Sequence, residues 1–228
     1  ETPYNSLLLY HGLGTGKTCS AISIAEEMRD YMKQMGINNR IIVVASPNVQ
    51  KEFRSQLFDE RKLKQIDGLW NLHACTGNKY LKEINPMNMK GMSKNKVVRQ
   101  VSRIINTSYM FTGYLEFANM IQRKSTMEDE TPSKIRRALK KFFQNRLIII
   151  DEVQNIRSTD ENTTNKRVAS ELMKLIENVD NIRLLLLSAT PMFNSYKEII
   201  WLINLMNKND RRGINSIKDV FDKDGNLK

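Results

Sequence analysis

Residues that commonly hold metals or cross-link chains are scarce in this sequence. Its 228 residues contain two cysteines, Cys19 and Cys75, and two histidines, His11 and His73. None stands at metal-ligand spacing, which excludes a zinc-built scaffold and leads us to expect two separate, reduced thiols in an intracellular protein. Long apolar runs are missing too. The longest, around Ile148–Ile150 and Leu184–Leu187, fall far short of the ~20 residues of a membrane span. No leader pattern and no internal repeat is visible, so a cytoplasmic chain excised from a longer one is expected, with no membrane partner. Acidic residues are also short, 25 against 36 lysines and arginines, giving net charge +11 and a pI near 9.6. That excess favours a polyanionic partner, and a solvated, lysine-biased surface accounts for it equally well.

What is present is the composition of an ordinary globule, 40% apolar and 27% charged, in a chain long enough for one large α/β domain. Short continuous runs rich in Ile, Val and Leu occur at 6–10, 40–45, 69–75, 146–150 and 182–187. Such runs suit parallel strands covered on both faces. Helical patterns fill the gaps at 19–35, 49–58, 94–105, 113–123, 134–145, 163–179 and 196–207. The alternation predicts an α/β fold, a parallel sheet with helices on both faces. Two stretches read as insertions: 85–92, with three methionines, and the polar 124–132 around Glu128-Asp129-Glu130. The tail Asp222-Lys223-Asp224-Gly225-Asn226 has the start of a calcium loop, but Leu227 stands where glycine is required, so it reads as a turn.

The strongest motif is His11-Gly12-Leu13-Gly14-Thr15-Gly16-Lys17-Thr18, set between an apolar strand and a helical pattern. A strand, a glycine-rich turn and a helix in that order aim backbone N–H groups and a helix N-terminus at an anion. Gly12, Leu13, Gly14, Thr15 and Gly16 form the cradle. Lys17 supplies charge for the β- and γ-phosphates of ATP, and Thr18 a hydroxyl for Mg²⁺. His11 replaces the first glycine of the full pattern, so the stringent core is Gly14 to Thr18.

A second half-site is Leu147-Ile148-Ile149-Ile150-Asp151-Glu152-Val153-Gln154. An apolar strand ending in Asp-Glu puts two carboxylates where ligands bind in open α/β sheets. Asp151 is placed to hold Mg²⁺, and Glu152 to orient or deprotonate the water that attacks the γ-phosphate. More than half of the chain separates Lys17 from Asp151, room for several strands and helices and more than small kinases need. Ser188, Ala189 and Thr190 follow another strand directly. Gln154 can bridge toward their hydroxyls because its amide both donates and accepts.

With these elements the chain resembles superfamily 2 helicase-like ATPases over nearly its whole length. The resemblance rests on Gly14 to Thr18, Ala45-Ser46-Pro47, Asp151 to Gln154 and Ser188-Ala189-Thr190. Within that group His11 to Thr18 and Ser46 to Phe53 look most like Swi–Snf-related helicases of large cytoplasmic DNA viruses. The resemblance implies a RecA-like lobe in which Ser188, Ala189 and Thr190 couple nucleotide state to nucleic acid. It implies contacts to a DNA or RNA backbone by Ser46, Pro47 and Asn48, with Thr112 and Gly113 as a second contact. It also implies a second RecA-like lobe that carries an arginine finger, and links to transcription machinery. Nothing after Thr190 offers that finger, since Arg211 and Arg212 stand in a polar stretch. We therefore read 1–207 as the first lobe and 208–228 as the start of a connector, with slow turnover by the isolated chain.

Two basic segments, Lys134 to Phe143 and the set Lys90, Lys94, Lys96, Arg99 and Arg103, suit phosphate tracking or a wet helix face equally. Neither has the aromatic platform that base stacking needs. A motor subunit of a restriction or remodelling system would share every motif here. A nucleic-acid-binding scaffold that has lost catalysis is a third reading, opposed by the intact Lys17, Asp151 and Glu152.

Overall fold

The computed structural model describes residues 3–10, 12, 16–126, 131–156, 163–192, 197–222 and 225–228. In chain order the elements are β1 (Ser6–Tyr10), α1 (Lys17–Gln34), β2 (Ile41–Val44), α2 (Pro47–Leu57), β3 (Leu63–Ile66) and β4 (Leu69–Leu72). They continue with α3 (Lys79–Ile84), α4 (Lys94–Ser108), β5 (Tyr109–Thr112), α5 (Tyr114–Ser125), α6 (Pro132–Phe143) and β6 (Leu147–Ile150). The last are α7 (Thr163–Asn178), β7 (Arg183–Ser188), α8 (Lys197–Asn209) and the short α9 (Ile217–Val220). Five strands form one sheet in the order β1-β7-β6-β2-β5, every neighbouring pair parallel. Parallel pairing with helical crossovers brings the C-terminal end of every strand to the same edge.

The core divides as strand geometry dictates. Successive side chains of a strand point to opposite faces, so a run such as Ile41-Ile42-Val43-Val44 feeds two cores. Ile41 and Val43, with Leu147, Ile149, Leu185 and Leu187, pack under α1, α2, α3 and α4. Ile42 and Val44, with Ile148, Ile150, Leu184 and Leu186, pack under α5, α6, α7 and α8. The expected sheet with helices on both faces is therefore present, and the unbroken apolar runs follow from burial on both sides. No described helix is long and apolar enough to cross a membrane.

Three strands, β3, β4 and β5, differ from the expectation, β3 having no counterpart among the expected runs. The run 69–75, read as a parallel strand, pairs antiparallel with β3 in a separate two-stranded hairpin. Asp67 and Gly68, both at positive φ, form its tight turn, a conformation that two-residue hairpin loops require. β5 was absent from the sequence reading. Its four residues, Tyr-Met-Phe-Thr, follow α4 without a break, so the helical periodicity runs into the strand. The stretch 85–92 is a loop as expected. Residues 127–130, which hold the acidic cluster of the second insertion, lie outside the described residues. In the tail Asp222 accepts from Asn226, a turn, and the described residues hold no acidic or His/Cys cluster of metal-site size.

The hairpin and α3 are fastened to α1 at two points. Cys19, in the first turn of α1, forms a disulfide with Cys75 in the loop after β4, their Cα atoms 5.3 Å apart, within the range of such bonds. This corrects the expectation of two separate reduced thiols. Distance along the chain did not reveal that the hairpin folds back on α1. One helical stretch further on, the nearly buried Glu26 accepts from the Tyr80 hydroxyl at 2.7 Å, the Tyr109 hydroxyl at 2.6 Å and Arg29 at 2.8 Å. A buried carboxylate is tolerated only when paired and hydrogen-bonded in this way. Burial beside Glu26 pushes both phenols up.

Closing a loop of 56 residues restricts the unfolded chain, worth about 4 kcal/mol on the chain-entropy account. Urea denaturation with and without reductant, and of Cys75→Ser, is expected to show a loss of that size. Equal stability in all three samples contradicts the cross-link.

Candidate functional site

Five strand ends meet at one sheet edge, and the described residues of the four motifs that carry the family resemblance follow strands that end there. Gly16 ends the loop after β1 at φ 83, a left-handed conformation that glycine adopts without strain, and caps α1. Lys17 and Thr18 open α1, both half-buried. Of the expected cradle, Gly12 and Gly16 are described. Leu13, Gly14 and Thr15, with His11 before them, lie outside the described residues.

From the end of β6, Glu152 reaches across to Lys17, Oε1 to Nζ 3.0 Å, with the two side chains 29% and 13% exposed. Partial burial makes this pair stronger than an exposed one. The Gln154 amide donates to the other oxygen of Glu152, and its carbonyl oxygen accepts from the Ser188 hydroxyl at 2.7 Å. Ser188, fully buried, in turn accepts from the Thr190 backbone N–H at 3.0 Å. One connected chain thus runs from Lys17 through Glu152 and Gln154 to Ser188 and Thr190, with Ala189 between the last two. The bridge by Gln154 anticipated from its amide chemistry is present. Glu152 is held at φ 45, a left-handed conformation that costs about 1–3 kcal/mol for a non-glycine residue. The 3₁₀ turn of Val153–Asn155 begins right after it.

Asp151 is 8% exposed. Burial, then the charge of Glu152, push its carboxyl up to about 6, and Lys17 opposes the shift. A carboxylate desolvated beside a second one, with no ion pair to a cation among the described residues, is the electrostatic complement of a divalent ion. Its backbone is fixed on both sides. The amide of Asp151 donates to Val44 O at 3.0 Å, and the Tyr114 hydroxyl donates to Asp151 O at 2.8 Å. That second contact escaped the sequence reading. Tyr114 is visible there as the start of a helix, but no spacing rule reports that its ring spans from α5 to β6.

The expected nucleic-acid contacts lie along the neighbouring strand ends. Ser46 caps α2, with Pro47 and Asn48 exposed at its start. Gly113 caps α5. Thr112 is 2% exposed and its hydroxyl turns to Gly113 O, so its side chain belongs to the interior. The basic set Lys90, Lys94, Lys96, Arg99 and Arg103 is exposed. Lys140, Arg136 and Arg211 instead gather around Asp180, so part of the basic face of α6 is neutralised within the fold.

Comparison with known proteins agrees with this geometry. The SNF2-related domain matches residues 1–224. The chain belongs to that family. A provisionally named ATP-dependent RNA helicase of Acanthamoeba polyphaga mimivirus is 30% identical over 209 residues, covering 92% of this chain and 30% of that protein. Provisionally named helicases of Frog virus 3 and Invertebrate iridescent virus 3 are 27% and 25% identical, over 100% and 90% of the chain. The chain spans 20% and 19% of the length of those two. The relatives carry helicase names, and the parallel sheet of this SNF2-related chain is consistent with a RecA-like lobe of a helicase-like family.

Asp151 supplies a sign test. Its folded value near 6 lies above its unfolded value, so the native state binds the extra proton between about pH 4 and 6. Native stability then falls as pH rises through that window and stays low above it. Asp151→Asn removes the charge, and at pH 8 is expected to stabilise the ligand-free chain by up to about 3 kcal/mol. The measurement is denaturation at pH 4.5 and 8. A variant less stable than wild type at pH 8 contradicts the assignment.

Proposed function

We propose that this chain is the first RecA-like lobe of a nucleic-acid-dependent ATPase, residues 1–207 forming the lobe and 208–228 opening the connector to a second one. The observation that carries the reading is the hydrogen-bonded chain from Lys17 to Ser188, which joins a phosphate-binding lysine to the Ser-Ala-Thr turn. In this reading Gly12 to Gly16 cradle the ATP phosphates with their backbone N–H groups, and Lys17 exchanges Glu152 for the β- and γ-phosphates. The Thr18 hydroxyl and the Asp151 carboxylate hold Mg²⁺, which when bound neutralises charge on the phosphate oxygens. Glu152, released from Lys17, accepts the proton of the attacking water at its carboxylate. Gln154 senses that release through its amide and passes it to Ser188, Ala189 and Thr190.

Ser46, Asn48 and Gly113, at the starts of α2 and α5, supply backbone N–H groups for the phosphates of a nucleic-acid strand, with Pro47, which has no N–H, fixing the first turn of α2 and Thr112 supporting the second contact from below. We favour DNA, with RNA as the alternative that the mimivirus relative's name suggests, and a role in viral transcription in the cytoplasm. The viral sources of the relatives support this choice over a restriction or remodelling motor. The complete catalytic set argues against an inert scaffold. An arginine finger is expected from the second lobe. In this chain Arg211 is spent on the end of α7 and Asp180, and Arg212 sits 4.2 Å from the ring of Tyr4.

ATP hydrolysis by the full-length protein, with and without DNA or RNA, tests the reading. Nucleic acid is expected to stimulate turnover, and Glu152→Gln to lower kcat by roughly 10²–10⁴ with ATP still bound. Turnover indifferent to both nucleic acids, or a Glu152→Gln variant as fast as wild type, overturns it.

A further inference from the structure

The opposite edge of the sheet, where the strands begin, carries a cavity of about 230 Å³ that the nucleotide chemistry does not use. Arg146 forms its charged wall, and Arg183 stands at its rim. Arg146 is 8% exposed, yet no carboxylate among the described residues forms an ion pair with it. Its Nε donates to Phe142 O and one Nη1 proton to Arg40 O at 2.7 Å, while the Nη2 group has no acceptor among the described residues. Its guanidinium lies 4.6 Å from the ring of Phe142. A nearly buried guanidinium that meets carbonyl oxygens in place of an anion is rare. Burial and the nearby Arg40 pull its proton affinity down, to about 10, the direction an unneutralised cation takes.

The rest of the lining selects the partner. Asn5, Asn145 and Asn181 add side-chain amides, and no Asp or Glu lines the cavity. The nearby Asp210 is already engaged by the Asn5 backbone N–H at 2.7 Å. Asn145 and Asn181 hold positive φ values of 58° and 57°, and the Asn145 N–H donates to Asn181 O at 3.1 Å, which links the two loops at the rim. Met28 and Ile37 add apolar side chains to the lining. Arg183 is stacked 5.2 Å from the ring of Tyr31, which limits its freedom before any ligand arrives. Guanidinium donors with apolar side chains in the same lining suit a carboxylate on a short apolar stem.

We propose that this cavity binds one carboxylate borne on an apolar stem, through the free donors of Arg146 with Arg183 closing over it. An acidic side chain of a partner polypeptide and a small aliphatic acid share this chemistry. The site lies at the far end of α1 from Lys17, so it is separate from the nucleotide edge.

Titration of the isotopically labelled chain at constant ionic strength tests it, followed through the Nε–H resonance of Arg146. The probes are butyrate, a capped peptide with a single glutamate, the same peptide with glutamine, and inorganic phosphate. Butyrate and the glutamate peptide are expected to shift the resonance saturably, and the glutamine peptide not to. Arg183→Gln, at an exposed position, is expected to weaken binding about tenfold, as is Arg146→Lys, which keeps the charge but not the fork. Tighter binding of the peptide than of butyrate assigns the site to a polypeptide partner, and equal binding to a small acid. No saturable shift with either carboxylate, a response to phosphate alone, or unchanged affinity in Arg183→Gln overturns the proposal.

Discussion

The contact between Lys17 and Glu152 exists because β1, β7 and β6 run parallel and side by side. Reverse or displace one of them and the lysine after β1 and the carboxylates after β6 no longer share an edge. The register that aligns Tyr10 with Ser188, and Ile150 with Leu186, therefore positions the whole site. Burial on two faces enforces that register, because a one-residue slip would send Ile149 and Leu185 to the wrong core. The ion pair is the visible consequence. It holds together two segments far apart in the chain, and through Gln154 it extends to a third.

Much of this was legible in the sequence because it is written in local pattern. The apolar runs, the helical periodicity between them and the glycine-rich turn before Lys17 each report their own surroundings. The site residues could be named for the same reason, since Asp-Glu after a strand and Ser-Ala-Thr after another each mark a strand end. What escaped depends on non-local packing. Tyr114 and Asp151 meet only because β5 and β6 flank β2. Cys19 and Cys75 meet because a hairpin, itself misread as a parallel strand, folds over α1. β5 was hidden by the helix that runs into it. Thr112 was grouped with exposed residues by its motif, while the strand's alternation turns its side chain inward.

The two edges of the sheet have different electrostatic designs. At the strand ends, Glu152 pairs with Lys17, and Asp151 is desolvated with no ion pair among the described residues. At the strand starts, Arg146 is left without an anion. Both arrangements keep a charged group under-compensated inside a fold where the buried Glu26 and Arg29 satisfy one another. α1 connects the two edges, with Lys17 at one end and Met28 and Tyr31 at the other. The disulfide and the Glu26 cluster hold that helix to the hairpin and α3 between them.

The central claim is that Lys17 and the Asp151–Glu152 pair form one phosphate–metal site, halves of which are far apart in the chain. Calorimetric titration of a non-hydrolysable ATP analogue into this chain, with and without Mg²⁺, tests it most directly when repeated on Lys17→Ala and Asp151→Asn. The account predicts saturable binding that requires Mg²⁺, is lost in Lys17→Ala, and in Asp151→Asn no longer responds to the metal. Binding of equal affinity in wild type and Lys17→Ala, or a metal dependence that survives Asp151→Asn, would contradict it.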